Sequence, residues 1–348
     1  MKKILFYIAL AIVMLCCSCG GNLEDEIDKA LQSREIEENT GQELKIMQSP
    51  PIYTYADLGN DISLLQKRYG DMIQVINVCK TYDERNVYDV VIGDLKSENH
   101  ILIMGAMHAR EYITTQVVMR QLCDYIEKIN NDSEMLTLSK NTALHFVPMV
   151  NPDGVTICQK GTDGLKTQKA RDSVFNICES TGFYDYTQWK ANAQGIDINR
   201  NFDADWDTYV GTQMPSSERY KGEYPHCSPE AEGLVELTQS YGFKRTISYH
   251  AKGSLIYWYF KQTGSLLNET QSFAQSISSA TGYYLEGDYT LVDAAGYKDW
   301  ALSKMNIPSI TIEVGGEAPQ LPVPNEYFNG IWEKNKNVVR ETLRELKR

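Results

Sequence analysis

The chain has 348 residues, 42% of them hydrophobic and 23% charged, with a formal net charge of -12. Its length allows one large α/β domain or two smaller ones, and a chain of this size buries enough apolar surface to fold without disulfides. The acidic balance excludes the basic face that a nucleic-acid binder needs, and otherwise says little more than that the protein is soluble.

Lys2 and Lys3 precede an apolar run from Ile4 to Leu15, too short to cross a bilayer as a mature helix. Basic then apolar is the order of a signal peptide. The run ends in Leu15-Cys16-Cys17-Ser18-Cys19-Gly20-Gly21 where a plain secretory signal has an Ala-x-Ala-like site. Cysteine behind a small residue resembles a bacterial lipoprotein signal, with Cys19 as the acylated residue, although no Leu stands three positions before it. Residues 1–19 are therefore expected as the signal peptide of an exported protein, lipid-anchored through Cys19 and facing the periplasm or cell surface. Residues 20–49 are polar and acidic (Glu24, Asp25, Glu26, Asp28, Glu35, Glu37, Glu38) and read as a flexible tether, leaving 50–348 as the folded domain.

Further along, Leu58–Tyr69 has helical spacing, and β-rich runs follow at Ile73–Val78 and Val87–Ile92. Ile101–Met107 is continuously apolar, as a central buried strand is. Thr115–Ile129 puts Val118, Leu122, Tyr125, Ile126 and Ile129 on one helical face. Leu144–Val150 reads as another strand, closed by the turn signal Asn151-Pro152-Asp153-Gly154. Residues 155–225 show little periodicity and are expected to be loop-rich and functional. Ser228-Pro229-Glu230 starts a helix that runs to Tyr241. Strands are expected at Thr246–His250, Leu255–Phe260 and Ser309–Val314, and helices at Leu266–Ala280, Gly296–Lys304 and Asn325–Leu346. This alternation predicts one α/β domain, a mixed, mainly parallel sheet with helices on both faces.

Beyond Cys19 the chain has Cys79, Cys123, Cys158, Cys178 and Cys227, in no zinc-finger or Cys-x-x-Cys spacing. An oxidising compartment permits a disulfide between Cys158 and Cys178, and the alternative is five unpaired thiols, mostly buried as small hydrophobes.

His108-Ala109-Arg110-Glu111 directly follows the apolar strand, so both potential ligands sit on a strand-end loop, where open α/β sheets place their sites. His-x-x-Glu alone is common. His250, closing the run Thr246–Tyr249, offers a third ligand in matching context, and two imidazoles with one carboxylate leave zinc an open position suited to hydrolysis. His145 inside a strand, His100 in a polar loop and His226 in an irregular segment read as core or surface.

Together His108-x-x-Glu111, Asn151–Gly154, Gly195-Ile196-Asp197-Ile198-Asn199-Arg200-Asn201-Phe202, His250 and Thr311-Ile312-Glu313-Val314-Gly315 resemble, in family order from about Tyr53 onward, the zinc carboxypeptidases of the carboxypeptidase A type. The resemblance implies one zinc ion on His108, Glu111 and His250, with Glu313 as the general base. It implies Asn199 and Arg200 as the clamp on the substrate's terminal carboxylate, a task suited to a guanidinium fork. Asp197 matches the carboxylate that orients a zinc histidine, His108 here. Three positions depart from the family. Lys190, after Trp189, stands where pancreatic-type members have an oxyanion-stabilising arginine, a role open to Arg171 or Arg110 as well. The substrate-capping tyrosine has no aligned counterpart: counting gives Leu291, with Tyr289 nearby. Lys298 occupies the position before Asp299 that helps set specificity.

Gly296-Tyr297-Lys298-Asp299-Trp300 and Trp189-Lys190-Ala191-Asn192-Ala193 are more similar to bacterial members that cut γ-D-glutamyl–diaminopimelate bonds in cell-wall muropeptides. General peptide trimming is the alternative substrate reading. A non-catalytic peptide-binding member of the fold is a different class, opposed by retention of all three ligands and Glu313.

Overall fold

The computed structural model describes residues 42–287 and 294–347. The readings for residues 1–41, Cys19 among them, and for Tyr289 lie outside the described residues. Eight strands, β1 (Ile73–Lys80), β2 (Asn86–Ile92), β3 (Asn99–Met104), β4 (Thr142–Val147), β5 (Arg245–Gly253), β6 (Leu255–Tyr257), β7 (Tyr284–Leu285) and β8 (Ser309–Gly315), form one sheet. Its order is β1-β2-β4-β3-β5-β8-β6-β7. The central β4, β3, β5 and β8 run parallel, while β1–β2, β2–β4 and β6–β8 are antiparallel. The sheet is thus mixed and mainly parallel, as the alternation of elements implied.

Among the described residues ten α-helices flank it: α1 (Tyr55–Tyr69), α2 (Ile113–Asn131), α3 (Ser133–Leu138), α4 (Pro152–Lys160), α5 (Gln168–Thr181), α6 (Pro229–Tyr241), α7 (Gly264–Thr281), α8 (Tyr297–Ser303), α9 (Phe328–Asn335) and α10 (Val338–Leu346). Period-two alternation along β3 sorts them between two faces. Ile101 and Ile103 join a core with residues of α1, α2, α7, α9 and α10, such as Leu58, Val118, Phe273, Ile331 and Leu343. Leu102 and Met104 face α6 and α8 through Leu234, Tyr297 and Trp300. Local signals start the helices: Thr54 and Asp57 form a capping box on α1, and the Ser228 hydroxyl with Pro229 opens α6. Among the described residues no helix is long and apolar enough to cross a membrane.

Several expectations need correction. The stretch 155–225 contains α5, whose Ala170, Val174, Ile177 and Cys178 pack with Trp189 in a third small core. Asn151–Gly154 is the start of α4 instead of a turn, with Asn151 as its N-cap. The strand expected at 255–260 stops at Tyr257, and the closing helix breaks between Asn335 and Val338. His100 lies in β3 instead of a loop and is buried, its Nδ1 3.0 Å from His145 Nε2, while His145 Nδ1 meets Asp89 at 2.6 Å. All five described cysteines are free, so the Cys158–Cys178 pair does not form. Residues 42–49, read as the end of a tether, contact the domain. Leu44 and Ile46 are buried, and the Asp61 carboxylate accepts from the backbone N–H groups of Lys45 and Ile46 at 2.7 and 2.8 Å.

Candidate metal centre and substrate cavity

β3, β5 and β8 lie side by side, and their carboxyl ends carry the site. The loop after β3 places His108, and a single 3-10 turn, Ala109–Glu111, brings Glu111 back beside it. The Thr114 hydroxyl fixes this loop: it donates to Glu111 O at 2.8 Å and accepts from the Ala106 N–H at 2.7 Å. His250 sits near the end of β5, in register with Glu313 on β8. Gly253 makes room there, because a Cβ at that position would approach the Glu313 Cβ to 2.7 Å.

The three ligand candidates converge. His108 Nδ1 lies 2.8 Å from Glu111 Oε1 and 3.1 Å from His250 Nδ1, which is 3.0 Å from Glu111 Oε2. Among the described residues this is the one cluster of His, Cys, Asp or Glu able to hold a metal ion. His108 Nε2 faces Asp197 Oδ1 at 3.2 Å, which keeps the imidazole proton on Nε2 and leaves Nδ1 a lone pair aimed into the triangle. A tetrahedral zinc centre with bonds of about 2.0–2.1 Å has ligand–ligand edges of about 3.3 Å, close to this triangle, so the donor set fits zinc in type and spacing. Burial raises the Glu111 carboxyl, but the two imidazoles outweigh it and hold the group well below the usual carboxylate range. Burial, with the Glu111 charge next, pushes the Glu313 carboxyl up to about 7. At Asp197, burial is opposed by the Lys190 ammonium and then by His108, and the carboxyl stays well below its ordinary value.

A cavity of about 550 Å³ opens over this triangle. Arg110, Lys190, Asn199, Arg200, Lys298 and Glu313 all line it, so these six sequence-derived candidates share one space with the three ligand candidates, while Asp197 lies behind His108. Asn199 Oδ1 accepts from the Tyr297 N–H at 3.0 Å, tying the Asn199–Arg200 turn to the start of α8. Arg200 donates to Asn199 O at 2.7 Å and lies over the Tyr209 ring. Arg110 bonds Gln188 O at 3.0 Å and Glu218 at 2.9 Å. Lys298 donates to Tyr259 O at 2.9 Å and pairs with Asp299. Lys190 Nζ sits 3.0 Å from Asp197 Oδ2. Arg171, by contrast, bonds Leu165 O and Gln168 away from the cavity.

Two features were not anticipated. Tyr257, Tyr259 and Phe260 line the cavity, a use of the aromatic run that its strand-like pattern does not reveal. Asn151 is a hidden brace. Its Nδ2 donates to Ala191 O at 3.1 Å and Met107 O at 3.3 Å, the residues following Lys190 and preceding His108. Its Oδ1 accepts from the Gly154 N–H at 2.9 Å. Gly154 lets α4 approach, since a Cβ there would stand 2.4 Å from Ala191 O.

Fold and site together define a metal-dependent hydrolase of the mixed α/β type. Residues 59–338 match the zinc carboxypeptidase family, and the chain belongs to that family, a zinc metallopeptidase. It is 31% identical over 289 residues to gamma-D-glutamyl-L-diamino acid endopeptidase 1 of Lysinibacillus sphaericus, covering 81% of this chain and 70% of the relative. Its fold resembles bovine thrombin-activatable fibrinolysis inhibitor, solved with tick carboxypeptidase inhibitor (TM-score 0.69, 19% identity, 86% of this chain and 98% of that one). It also resembles carboxypeptidase A of Helicoverpa armigera (TM-score 0.64, 18% identity, 85% and 75%).

Proposed function

We propose that the protein is an exported carboxypeptidase that releases diaminopimelate from cell-wall muropeptides by hydrolysing the γ-D-glutamyl amide bond. The observation that carries this reading is a concentration of cations. Arg110, Lys190, Arg200 and Lys298 line one cavity beside the ligand triangle, in a chain whose net charge is -12. A γ-D-glutamyl–diaminopimelate unit brings three carboxylates around one scissile bond: the glutamyl α-carboxylate, the terminal carboxylate and the second carboxylate on the diaminopimelate side chain. Arg110, Lys190 and Lys298 are paired with Glu218, Asp197 and Asp299, and Glu111, Asp299 and Glu313 line the same cavity, so a substrate carboxylate would share these cations with their protein partners. Four cations around one space still favour an acidic ligand over one with a lysine or arginine side chain. The name of the Lysinibacillus relative, a gamma-D-glutamyl-L-diamino acid endopeptidase, supports the same class of bond, while restriction to the last residue rests on the Asn199–Arg200 clamp.

His108, Glu111 and His250 would hold the zinc, which would supply Lewis acidity for the scissile carbonyl and lower the pKa of water so that it can lose a proton near neutral pH. The remaining work falls to side chains. Glu313 takes the proton of the attacking water and returns it to the departing nitrogen. Asn199 and Arg200 bind the terminal carboxylate, which restricts cutting to the last residue. Lys298 receives the second side-chain carboxylate. Lipidation at Cys19 would keep the enzyme beside its substrate; replacing Cys19 by Ala should move the protein from the membrane fraction to the soluble one.

The test compares kcat/KM on L-Ala-γ-D-Glu-diaminopimelate and on an α-linked peptide ending in lysine. The wild type should favour the former by about tenfold or more, equivalent to ~1.4 kcal/mol. Lys298→Gln should narrow that ratio. Equal rates on both substrates would instead support general peptide trimming.

A further inference from the structure

We propose that Lys190 is a positioning residue of the metal centre: its ammonium holds the Asp197 carboxylate, which holds His108, so that Lys190 sets zinc affinity before substrate arrives. The inference rests on the zinc carboxypeptidase reading and deepens it. A cation at this position in the family acts on the reacting carbonyl; the geometry here gives it a second task.

The relay is short and buried. Lys190 Nζ lies 3.0 Å from Asp197 Oδ2, and Asp197 Oδ1 lies 3.2 Å from His108 Nε2. Asp197 is wholly buried, and Lys190 is mostly so. The other donor on Oδ2 is the Arg219 N–H, at a longer 3.3 Å. Without Lys190 the buried carboxylate would keep that single weak contact beside His108, and a buried charge stripped of its partner moves to find another. Its pull on the imidazole would change with it, and groups that orient a ligating histidine contribute to metal affinity.

Lys190 is also fixed in place. Its N–H donates to Ser217 O, and its carbonyl accepts from the N–H of Ala109, the neighbour of His108, both at 3.0 Å. Trp189 before it is fully buried, and Ala191 after it is held by Asn151. His250 differs: its Nε2 is buried with no hydrogen-bond partner among the described residues, so the side-chain relay serves His108 alone.

The experiment measures zinc dissociation constants by chelator competition, without substrate, on the full chain carrying Lys190→Met or Lys190→Arg, each with and without Asp197→Asn. Lys190→Met should weaken zinc binding about 10–100-fold. Lys190→Arg should restore most of the loss, and Lys190→Met should add little in the Asp197→Asn background. Should Lys190→Met not fold, Lys190→Gln gives the same comparison. Unchanged zinc affinity with a reduced kcat would overturn the proposal, leaving Lys190 a role on substrate alone. An equal loss with and without Asp197→Asn would also overturn it. A wild-type chain that binds no zinc would instead sink the zinc carboxypeptidase reading.

Discussion

Asn151 offers the sharpest test of how the site is held, because two substitutions there separate two functions of one side chain. Its Oδ1 caps α4 through the Gly154 N–H, and its Nδ2 bridges the carbonyls of Met107 and Ala191. Asn151→Ala removes all three bonds. The lost cap costs about 1 kcal/mol, and the two buried carbonyls about 1 kcal/mol each, for roughly 3 kcal/mol in total. Asn151→Asp keeps the cap, since Asp and Asn cap equally well. It replaces the bridging amide with a carboxylate oxygen facing two carbonyl oxygens, so it should still cost at least about 2 kcal/mol. Urea unfolding of metal-free protein measures both, because bound zinc would add its own linkage term. Wild-type stability in Asn151→Asp would refute the brace and reduce Asn151 to an ordinary helix cap.

Three further outcomes are expected. Glu313→Gln should keep one zinc per chain by metal analysis while turnover falls ~10²–10⁴-fold, and normal turnover would assign the base elsewhere. At Asp83, burial raises the carboxyl, but the N–H groups of Lys166 and Thr167 and the Thr167 hydroxyl, with Arg85, lower it overall. A depressed carboxyl contributes stability that is complete above its unfolded pKa of about 3.9 and is lost as pH falls through the lower folded value. Asp83→Asn should therefore be less stable at pH 7 and decline less steeply on acidification below about pH 4; an unchanged slope would show that Asp83 is not part of the acid transition. Finally, a thiol titration of denatured, unreduced protein lacking residues 1–41 should find five thiols, and three would restore a disulfide.

The centre of the fold was legible because its chemistry is local. Ile101–Met107, Thr246–His250 and Ser309–Val314 are apolar or β-branched runs that carry or lead into the site residues, so the strands that bear the site could be read directly, although their order in the sheet could not. Nonlocal features could not. Asp197 Oδ2 meets Lys190 seven residues earlier, and Asn151 meets carbonyls 40 and 44 residues away; only the folded backbone creates these pairs. α5 escaped because its four buried apolar positions are diluted by polar residues and by the exposed Phe175, and they pack on a small core that includes Trp189. The segment 42–49 escaped because Leu44 and Ile46 lie at the end of a long acidic stretch.

The central claim is that His108, Glu111 and His250 hold a zinc ion that drives hydrolysis of a C-terminal amide bond. Mass spectrometry of the products from L-Ala-γ-D-Glu-diaminopimelate, with protein that is untreated, chelated, and chelated then resupplied with one equivalent of zinc, tests it most directly. Free diaminopimelate should form with the first and third samples and not with the second. Undiminished release by the chelated protein, or cleavage at the L-Ala–D-Glu bond instead, would contradict the account.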